Sequence, residues 1–187
     1  FYVDHAARYY LNKIAAMDRE HDHVADKMPH NFMHVGLIHA IFPKAKIIHI
    51  QRDLRDIAIS NYFTNFKQKF SGMGFAFDLE QLGHQLADYM DIMAHWRRLI
   101  PHAFLEIEYE ALIENSEAES RRLLEYAELD FHPDVLEFHK TERAVKTASV
   151  WQVRQPIYKT SKKRYTRYEK HLSPLLEALE QRGYPLS

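Results

Sequence analysis

The hydrophobic pattern of the chain switches repeatedly between helical and strand periodicity. Apolar positions spaced three or four residues apart predict helices, whereas short β-branched or aromatic runs predict strands. The predicted helices span residues 4–21, 31–42, 54–70, 78–99, 116–128 and 133–141, with a final pair broken near Ser173-Pro174. The predicted strands span residues 23–26, 45–51 and 103–109. Strands that alternate with helices are typical of an α/β fold with a short parallel sheet flanked by helices.

Capping residues support several of these boundaries. Asp4, Asn31 and Asp78 stand where a helix N-cap is expected, and Pro43 follows the end of the second helix. Gly183 is suited to close the last helix, because glycine readily adopts the left-handed conformation found after helix ends.

Composition narrows the class of protein. The 187 residues are 46% hydrophobic and 27% charged, which fits one globular domain that we take as residues 1–187. The absence of cysteine excludes disulfides and thiolate metal sites. No apolar run reaches the ~20 residues of a membrane span, and we expect a cytoplasmic protein.

Positive charge is concentrated near the C-terminus although the net charge is only −1. Between Arg143 and His171 there are nine lysines and arginines and a single acid, Glu169. A local basic segment on an acidic body favours a specific anionic ligand over nucleic acid, which is bound by extended basic faces. A solvated basic helix is the other interpretation.

The stretch KIIHIQRDLRDIAISNYF places an arginine where an apolar strand ends. Ligands of parallel α/β sheets bind at the carboxyl ends of strands, and the N-terminus of the following helix favours anions. Arg52 could therefore grip a phosphate, and Ser60 lies two helical turns further along a polar stripe. Ile59 and Phe63 are expected to return the helix to the core. Alternatively, Arg52 pairs with a neighbouring acid, and Ser60 is a surface residue.

Two other stretches could contribute to the same crevice. Lys27, in DKMPHN, follows the first predicted strand and is held by a proline turn, although it could equally be a surface lysine. The irregular segment 146–168 combines hydroxyls, aromatic rings and bases, and could fold over a nucleotide. Its alternative is a long surface loop.

Together these pieces resemble the sulfotransferase family that uses 3′-phosphoadenosine 5′-phosphosulfate (PAPS). The nearest likeness is to the bacterial branch found with tetratricopeptide repeats, which is related to tyrosyl-protein sulfotransferases. Four blocks carry the resemblance in the right order. They are DKMPHNFMHVGLIHAIFPKAKIIHIQRDLRDIAIS, HWRRLIPHAFLEIEYEAL, VKTASVWQVRQPIY and RYEKHLSPLLEAL. The resemblance implies a P-loop-NTPase-like sulfotransferase fold, with residues 142–170 as a cofactor-covering loop and basic segment.

The resemblance also implies roles for particular residues. Arg52 and Ser60 match the pair that binds the 3′-phosphate of PAPS, and Tyr109 matches a tyrosine near the adenine nucleotide. Arg164 falls near a family Lys or Arg that touches the cofactor phosphates, a role that Lys162 or Lys163 could also take.

Two matches concern the reaction itself. Lys27 matches the lysine that approaches the transferring sulfuryl group, and Ser149 matches a serine close to that group. The family's Gly-rich loop for the 5′-phosphosulfate and its acidic catalytic base have no counterpart here and are expected upstream of Phe1. The transfer needs no metal, and the spacing of His21, Asp22 and His23 does not suit a metal site.

The sequence therefore predicts a sulfotransferase that moves a sulfuryl group from PAPS to an acceptor hydroxyl or amine, incomplete in this chain. The acceptor, whether a protein tyrosine, a sugar or a small molecule, cannot be read from the residues. Segments 67–77 and 151–163 are expected to frame its entrance. Attachment to upstream tetratricopeptide repeats is a further expectation. The alternatives are a non-catalytic nucleotide- or partner-binding domain of the same fold and a kinase-like phosphotransferase, which would need a Walker loop.

Overall fold

The computed structural model describes residues 2–64, 66, 73–140 and 162–186. Its α-helices are α1 (Tyr2–Met17), α2 (Val35–Ile41), α3 (Leu54–Tyr62), α4 (Leu79–Leu99), α5 (Tyr109–Glu114), α6 (Ser116–Tyr126) and α7 (Ser173–Gln181). Its strands are β1 (Ile47–Gln51) and β2 (Phe104–Glu108). Short 3₁₀ helices span Pro29–His34, Gly74–Phe77, Pro133–Lys140, Arg164–Arg167 and Glu169–His171.

The two strands form a short parallel sheet flanked by helices, which confirms the predicted α/β class. Side chains also pair across the strands, since His49 Nδ1 lies 3.0 Å from Glu106 Oε1. Ile107, on β2, is fully buried, whereas Ile48 and Ile50 on β1 are exposed. In a parallel sheet, the residues that follow β1 and β2 lie at the same edge.

The chain divides into two compact units. The first comprises residues 1–47 and 88–103, and the second comprises residues 48–87 and 104–187. Helix α4 contributes its N-terminal part to the second unit and the rest to the first.

In the first unit, aromatic side chains pack α1, α2 and the C-terminal part of α4. Tyr10 on α1 lies against Phe42 with ring centroids 5.4 Å apart, and Phe32 meets Tyr89 edge to face at the same distance. Trp96 Nε1 donates a hydrogen bond to the backbone carbonyl of Phe32 at 2.7 Å. These contacts place the polar end of the tryptophan on a backbone acceptor and leave its ring to pack.

In the second unit, α4 and α7 approach closely at Gly83. A Cβ built on Gly83 would lie 2.6 Å from Ala178 Cβ and 2.8 Å from the carbonyl oxygen of Leu175. Gly183 closes α7 as predicted, since its φ of +83° is the left-handed conformation found after helix ends. Its N–H donates to the Glu180 carbonyl, and the N–H of Tyr184 donates to that of Leu179, which together form a Schellman motif.

Helix α3 starts as predicted but ends early. Asp53 caps it, its carboxylate accepting from the backbone N–H groups of Arg55 and Asp56. The prediction that the helix continues to residue 70 is wrong at Thr64 and Phe66, which are not helical. The Thr64 hydroxyl donates to the Ser60 carbonyl at 2.6 Å and takes an acceptor that the next turn would use. Residues 65 and 67–72 lie outside the described residues.

Four other expectations are corrected. Residues 23–26 form no strand, because this exposed stretch has no neighbouring strand to pair with among the described residues. Asn31 does not cap a helix but lies within the 3₁₀ helix that begins at Pro29. Asp4 lies in the first turn of α1 rather than before it. The predicted helix from Pro133 is a 3₁₀ helix with non-helical backbone at Glu137.

Helix α5, which follows β2 directly, was not predicted.

Helix α4 begins after Asp78 as expected, and Asp78 Oδ1 accepts a hydrogen bond from the Gln81 N–H at 2.9 Å. The α4 side chains Leu82, Leu86 and Met93 are buried. No described helix is long and apolar enough to cross a membrane.

Candidate functional site

The site is built on the two strand ends of the second unit. Arg52 follows the last residue of β1, and Tyr109 follows the last residue of β2. The Arg52 guanidinium lies over the Tyr109 ring, 4.8 Å from its centroid. This cation–π contact holds the arginine where the sequence predicted an anion site.

Asp56 lies beneath this arginine, in the first turn of α3. Its side chain is buried, with a residue exposure of only 1%. Its Oδ2 lies 3.6 Å from Nη2 of Arg52, which is an ion pair longer than a charge-assisted hydrogen bond. The pairing of Arg52 with a neighbouring acid, one of the two interpretations of the sequence, is therefore present.

Asp53 and Arg55 form a second acid–base pair at the helix start. The Arg55 guanidinium donates to both carboxylate oxygens of Asp53, at 3.1 and 2.8 Å. Burial alone would raise the pKa of Asp53, but hydrogen bonds from the Arg55 side chain and backbone hold that pKa below its usual value. The hydrogen bond to Asp53 likewise raises the pKa of Arg55.

This capping changes the expected chemistry of the helix N-terminus. Two of its N–H groups are already bonded to the Asp53 carboxylate, and the N–H of Asp53 itself donates to Glu110 Oε1 at 3.3 Å. An anion at this edge would therefore be bound chiefly by side-chain cations rather than by these backbone groups.

The described part of the C-terminal basic segment, residues 162–171, packs against the same helix. The N–H of Tyr165 donates to Asp56 Oδ1 at 2.9 Å, and the Tyr165 ring lies 3.9 Å from the guanidinium carbon of Arg55. Lys162 forms an ion pair with Glu114 on α5. These contacts bring a run of cations to the helix that follows β1.

Arg164 is the residue of this segment that the sequence singled out. Its guanidinium lies 5.6 Å from the centroid of the Phe63 ring, at the end of α3. Phe63 also packs against Tyr168, with centroids 5.0 Å apart. Phe63 is 52% exposed, so the expectation that it belongs to the core is wrong.

A cleft adjoins these aromatic rings within the second unit. It has a volume of about 270 Å³ and is lined by Ile59, Tyr62, Phe63, Leu79, Tyr168, His171 and Leu172. Ser60, on α3, is partly buried. Its backbone carbonyl accepts the hydrogen bond from the Thr64 hydroxyl.

Lys27 belongs to the first unit, where it is exposed. Its neighbour Asp26 accepts a hydrogen bond from the Tyr10 hydroxyl at 2.6 Å, which fixes the chain just before the lysine. Ser149 lies outside the described residues. Among the predicted site residues, the structure thus brings Arg52 and Tyr109 into contact. Ser60 lies on α3, and the Arg164 side chain contacts Phe63 at the end of that helix.

Sequence reasoning missed how Asp56 would be used. Its position in the polar start of the helix is visible in the sequence, but its burial and its bond to Tyr165, 109 residues away, depend on tertiary packing. No group of three or more potential metal ligands occurs among the described residues.

Comparison with known proteins identifies the class to which this chain belongs. A model of the sulfotransferase family matches residues 1–133, which is more than half of the chain. The chain belongs to the sulfotransferase family.

Among individual proteins, the chain is 49% identical over 176 residues to a protein of Aquifex aeolicus (strain VF5) that is described as uncharacterized. The match covers 94% of this chain but 23% of that relative. Its description assigns no substrate or partner.

Proposed function

We propose that this domain takes part in transferring a sulfuryl group from PAPS to an acceptor hydroxyl or amine, with Arg52 binding the 3′-phosphate. The observation that carries the proposal is the position of Arg52 at the end of β1, over the Tyr109 ring at the end of β2. Membership of the sulfotransferase family supports the type of reaction. The whole protein's activity, co-substrate and acceptor are parts of this proposal.

The residues at the strand ends suit the nucleotide end of PAPS. A guanidinium can bind a phosphate through two parallel hydrogen bonds, and the Arg52 side chain is 20% exposed. Tyr109 presents an aromatic ring suited to contact with a nucleobase. Ser60 would add a hydroxyl donor, and Arg164 would add a second cation to the phosphate-binding edge.

The chemistry requires stabilisation of negative charge on a leaving oxygen. PAPS supplies the activated sulfuryl group when bound. Lys27 would stabilise the charge that develops on the leaving phosphate, as cationic side chains do in phosphoryl transfer. Ser149 would contact the sulfuryl end, and a general base must accept the proton of the acceptor.

Replacing Arg52 tests the proposal directly. In the full-length protein we expect Arg52→Ala to weaken binding of adenosine 3′,5′-bisphosphate by roughly ten- to hundredfold, because one charge-assisted contact to the phosphate is lost. Isothermal titration calorimetry measures this. Arg52→Lys should retain part of the affinity, since lysine keeps the charge but not the planar fork.

Arg121→Ala is a matched control. Arg121 also pairs with an acid one turn away, Glu117, and also lies over an aromatic ring, Phe131, but it belongs to α6. Its replacement should leave the affinity unchanged. Equal affinity in wild type and Arg52→Ala would refute the role of Arg52, and no binding by wild type would refute the choice of nucleotide.

The ion pair with Asp56 supports a second candidate function. An arginine at a strand end could be retained for its structural pairing alone, as in a nucleotide- or partner-binding domain of this fold that performs no transfer. Incubating the full-length protein with radiolabelled PAPS and a panel of tyrosine peptides, sugars and small phenols distinguishes the two. Labelled product supports the transferase, whereas nucleotide binding without product supports the binding domain.

Association with upstream tetratricopeptide repeats is a separate proposal. Its support is the resemblance of the four sequence blocks to the repeat-associated branch. The residues encoded before Phe1 in the full-length gene decide it directly.

A further inference from the structure

Among the described residues, Asp56 is the charged residue whose side chain is buried. A carboxylate removed from water is costly unless charges and hydrogen-bond donors compensate for the lost hydration. At 1% exposure, Asp56 cannot serve as a surface acid or contact a ligand from solvent. Its partners therefore indicate what it does.

The two carboxylate oxygens of Asp56 face different parts of the second unit. Oδ2 lies 3.6 Å from Nη2 of Arg52, the arginine at the end of β1. Oδ1 accepts the backbone N–H of Tyr165 at 2.9 Å. One side chain thus connects the strand end to the C-terminal basic segment.

The bond to Tyr165 occurs at a helix start. The 3₁₀ helix Arg164–Arg167 follows Lys163, which has a left-handed backbone with φ 54°, and no side chain of its own caps it. The first N–H groups of a helix lack partners within the helix. Asp56 supplies an acceptor for one of them from α3, which is how the segment's turn is held beside Arg55 and Phe63.

We propose that Asp56 is a positioning residue for phosphate binding, which holds Arg52 with one oxygen and orders the Arg164-bearing turn with the other. The inference rests on the proposed function, in which Arg52 binds the 3′-phosphate and Arg164 contributes a second cation. Asp56 itself contacts neither ligand nor reacting atoms. Its removal makes Arg164 ineffective, although Arg164 is unchanged.

Charge alone gives the opposite expectation. A buried negative charge beside a phosphate site repels the phosphate, so removing it by Asp56→Asn would tighten binding if electrostatics were its only role. Positioning predicts weaker binding instead, because Arg52 loses its ionic partner. The direction of the change in Asp56→Asn therefore separates the two roles.

The experiment measures adenosine 3′,5′-bisphosphate binding to full-length protein carrying Asp56→Asn, Asp56→Ala and Arg164→Ala, singly and combined. We expect Asp56→Asn to weaken binding by a few-fold and Asp56→Ala by about tenfold or more. Arg164→Ala should cost about as much in the Asp56→Asn background as in wild type, because the amide oxygen still accepts from Tyr165. In the Asp56→Ala background it should cost nothing further. Arg167→Ala, at the other end of the same turn, is the matched control.

Hydrogen exchange provides a second readout that needs no ligand. The Tyr165 amide should be protected in wild type and Asp56→Asn and should lose protection in Asp56→Ala. If Asp56→Ala does not fold, the direction of the affinity change in Asp56→Asn still decides the proposal, because the amide keeps an acceptor for the Tyr165 N–H and removes the ionic partner of Arg52.

The outcomes separate the two proposals. Tighter or unchanged binding in Asp56→Asn, or an undiminished Arg164→Ala effect in folded Asp56→Ala, overturns the positioning role and leaves the proposed function standing. Absence of binding by wild type overturns the proposed function and with it the role of Asp56 in binding. Exchange at Tyr165 then still shows whether Asp56 orders the turn.

Discussion

Tyr10 and Asp26 show how one pair of side chains can fix the chain next to a functional residue. The Tyr10 hydroxyl donates to Asp26 Oδ2 at 2.6 Å, immediately before Lys27. This hydrogen bond, followed by burial and the charge of Asp26, raises the pKa of Tyr10 to about 12. The pair thus stabilises the neutral form of the tyrosine and orders the approach to the lysine.

The raised pKa makes the contribution of this pair dependent on pH. Because the folded-state pKa lies above the unfolded value of about 10, the stabilisation is fully present below pH ~10 and is lost as pH rises toward ~12. We expect Tyr10→Phe to lower the free energy of unfolding by on the order of 1 kcal/mol at pH 8, and by less as pH passes 10. Urea denaturation across this range measures the difference.

Tyr9→Phe is the control for this prediction. Tyr9 is 62% exposed and precedes Tyr10 on the same helix, so loss of its hydroxyl should have little effect at any pH. A difference between wild type and Tyr10→Phe that stayed constant from pH 8 to 12 would contradict the proposed linkage.

At the scale of elements, α4 and α7 pack closely because a glycine lies between them. Their contact places Ala178 and Leu175 opposite Gly83, and all of these residues are buried. In an exposed helix, replacing glycine by alanine stabilises by up to about 1 kcal/mol. Here the gain is opposed by a backbone carbonyl that cannot rotate away.

We therefore expect Gly83→Ala to destabilise the protein by about 1–3 kcal/mol, because the new methyl overpacks the contact. Thermal and chemical denaturation measure the change. Gly74→Ala is the matched control, since a Cβ there meets nothing within 4 Å. A Gly83→Ala variant as stable as wild type would contradict this prediction, because the packing cost would then be no larger than the gain in helix propensity.

At the scale of the whole molecule, charge is distributed unevenly around a net value of −1. The basic segment contributes Lys162 and Arg164 to the unit that carries Arg52 and Tyr109. A local positive potential attracts an anionic nucleotide even when the molecule as a whole is nearly neutral.

Ionic strength should therefore control binding. We expect the affinity for adenosine 3′,5′-bisphosphate to fall several-fold as salt rises from about 0.05 to 0.5 M, because mobile ions screen charges beyond about a Debye length. Titrations at several salt concentrations, with circular dichroism to monitor folding, measure this. Arg164→Ala should show a weaker salt dependence. An affinity independent of salt would assign binding to neutral contacts alone.

How far the sequence predicts this protein depends on the distance over which each feature is determined. Strands β1 and β2, the start of α4 after Asp78 and the end of α7 at Gly183 follow from local periodicity and capping, and all are present. Residues 23–26 had the composition of a strand but no partner among the described residues. Pairing is not a local property, so the sequence could not exclude that strand.

The same distinction holds at the site. Sequence alone predicted Arg52 directly after a strand and Tyr109 as the last residue of another, because strand ends are set by local hydrophobic pattern and turn chemistry. The structure ends β2 one residue earlier, at Glu108, and begins α5 at Tyr109. Only the tertiary structure decided that the side chains of Arg52 and Tyr109 touch, that Asp56 is buried beneath Arg52, and that its other oxygen binds Tyr165. Burial and long-range hydrogen bonds arise from the packing of elements distant in the chain, and a pattern of neighbouring residues does not contain them.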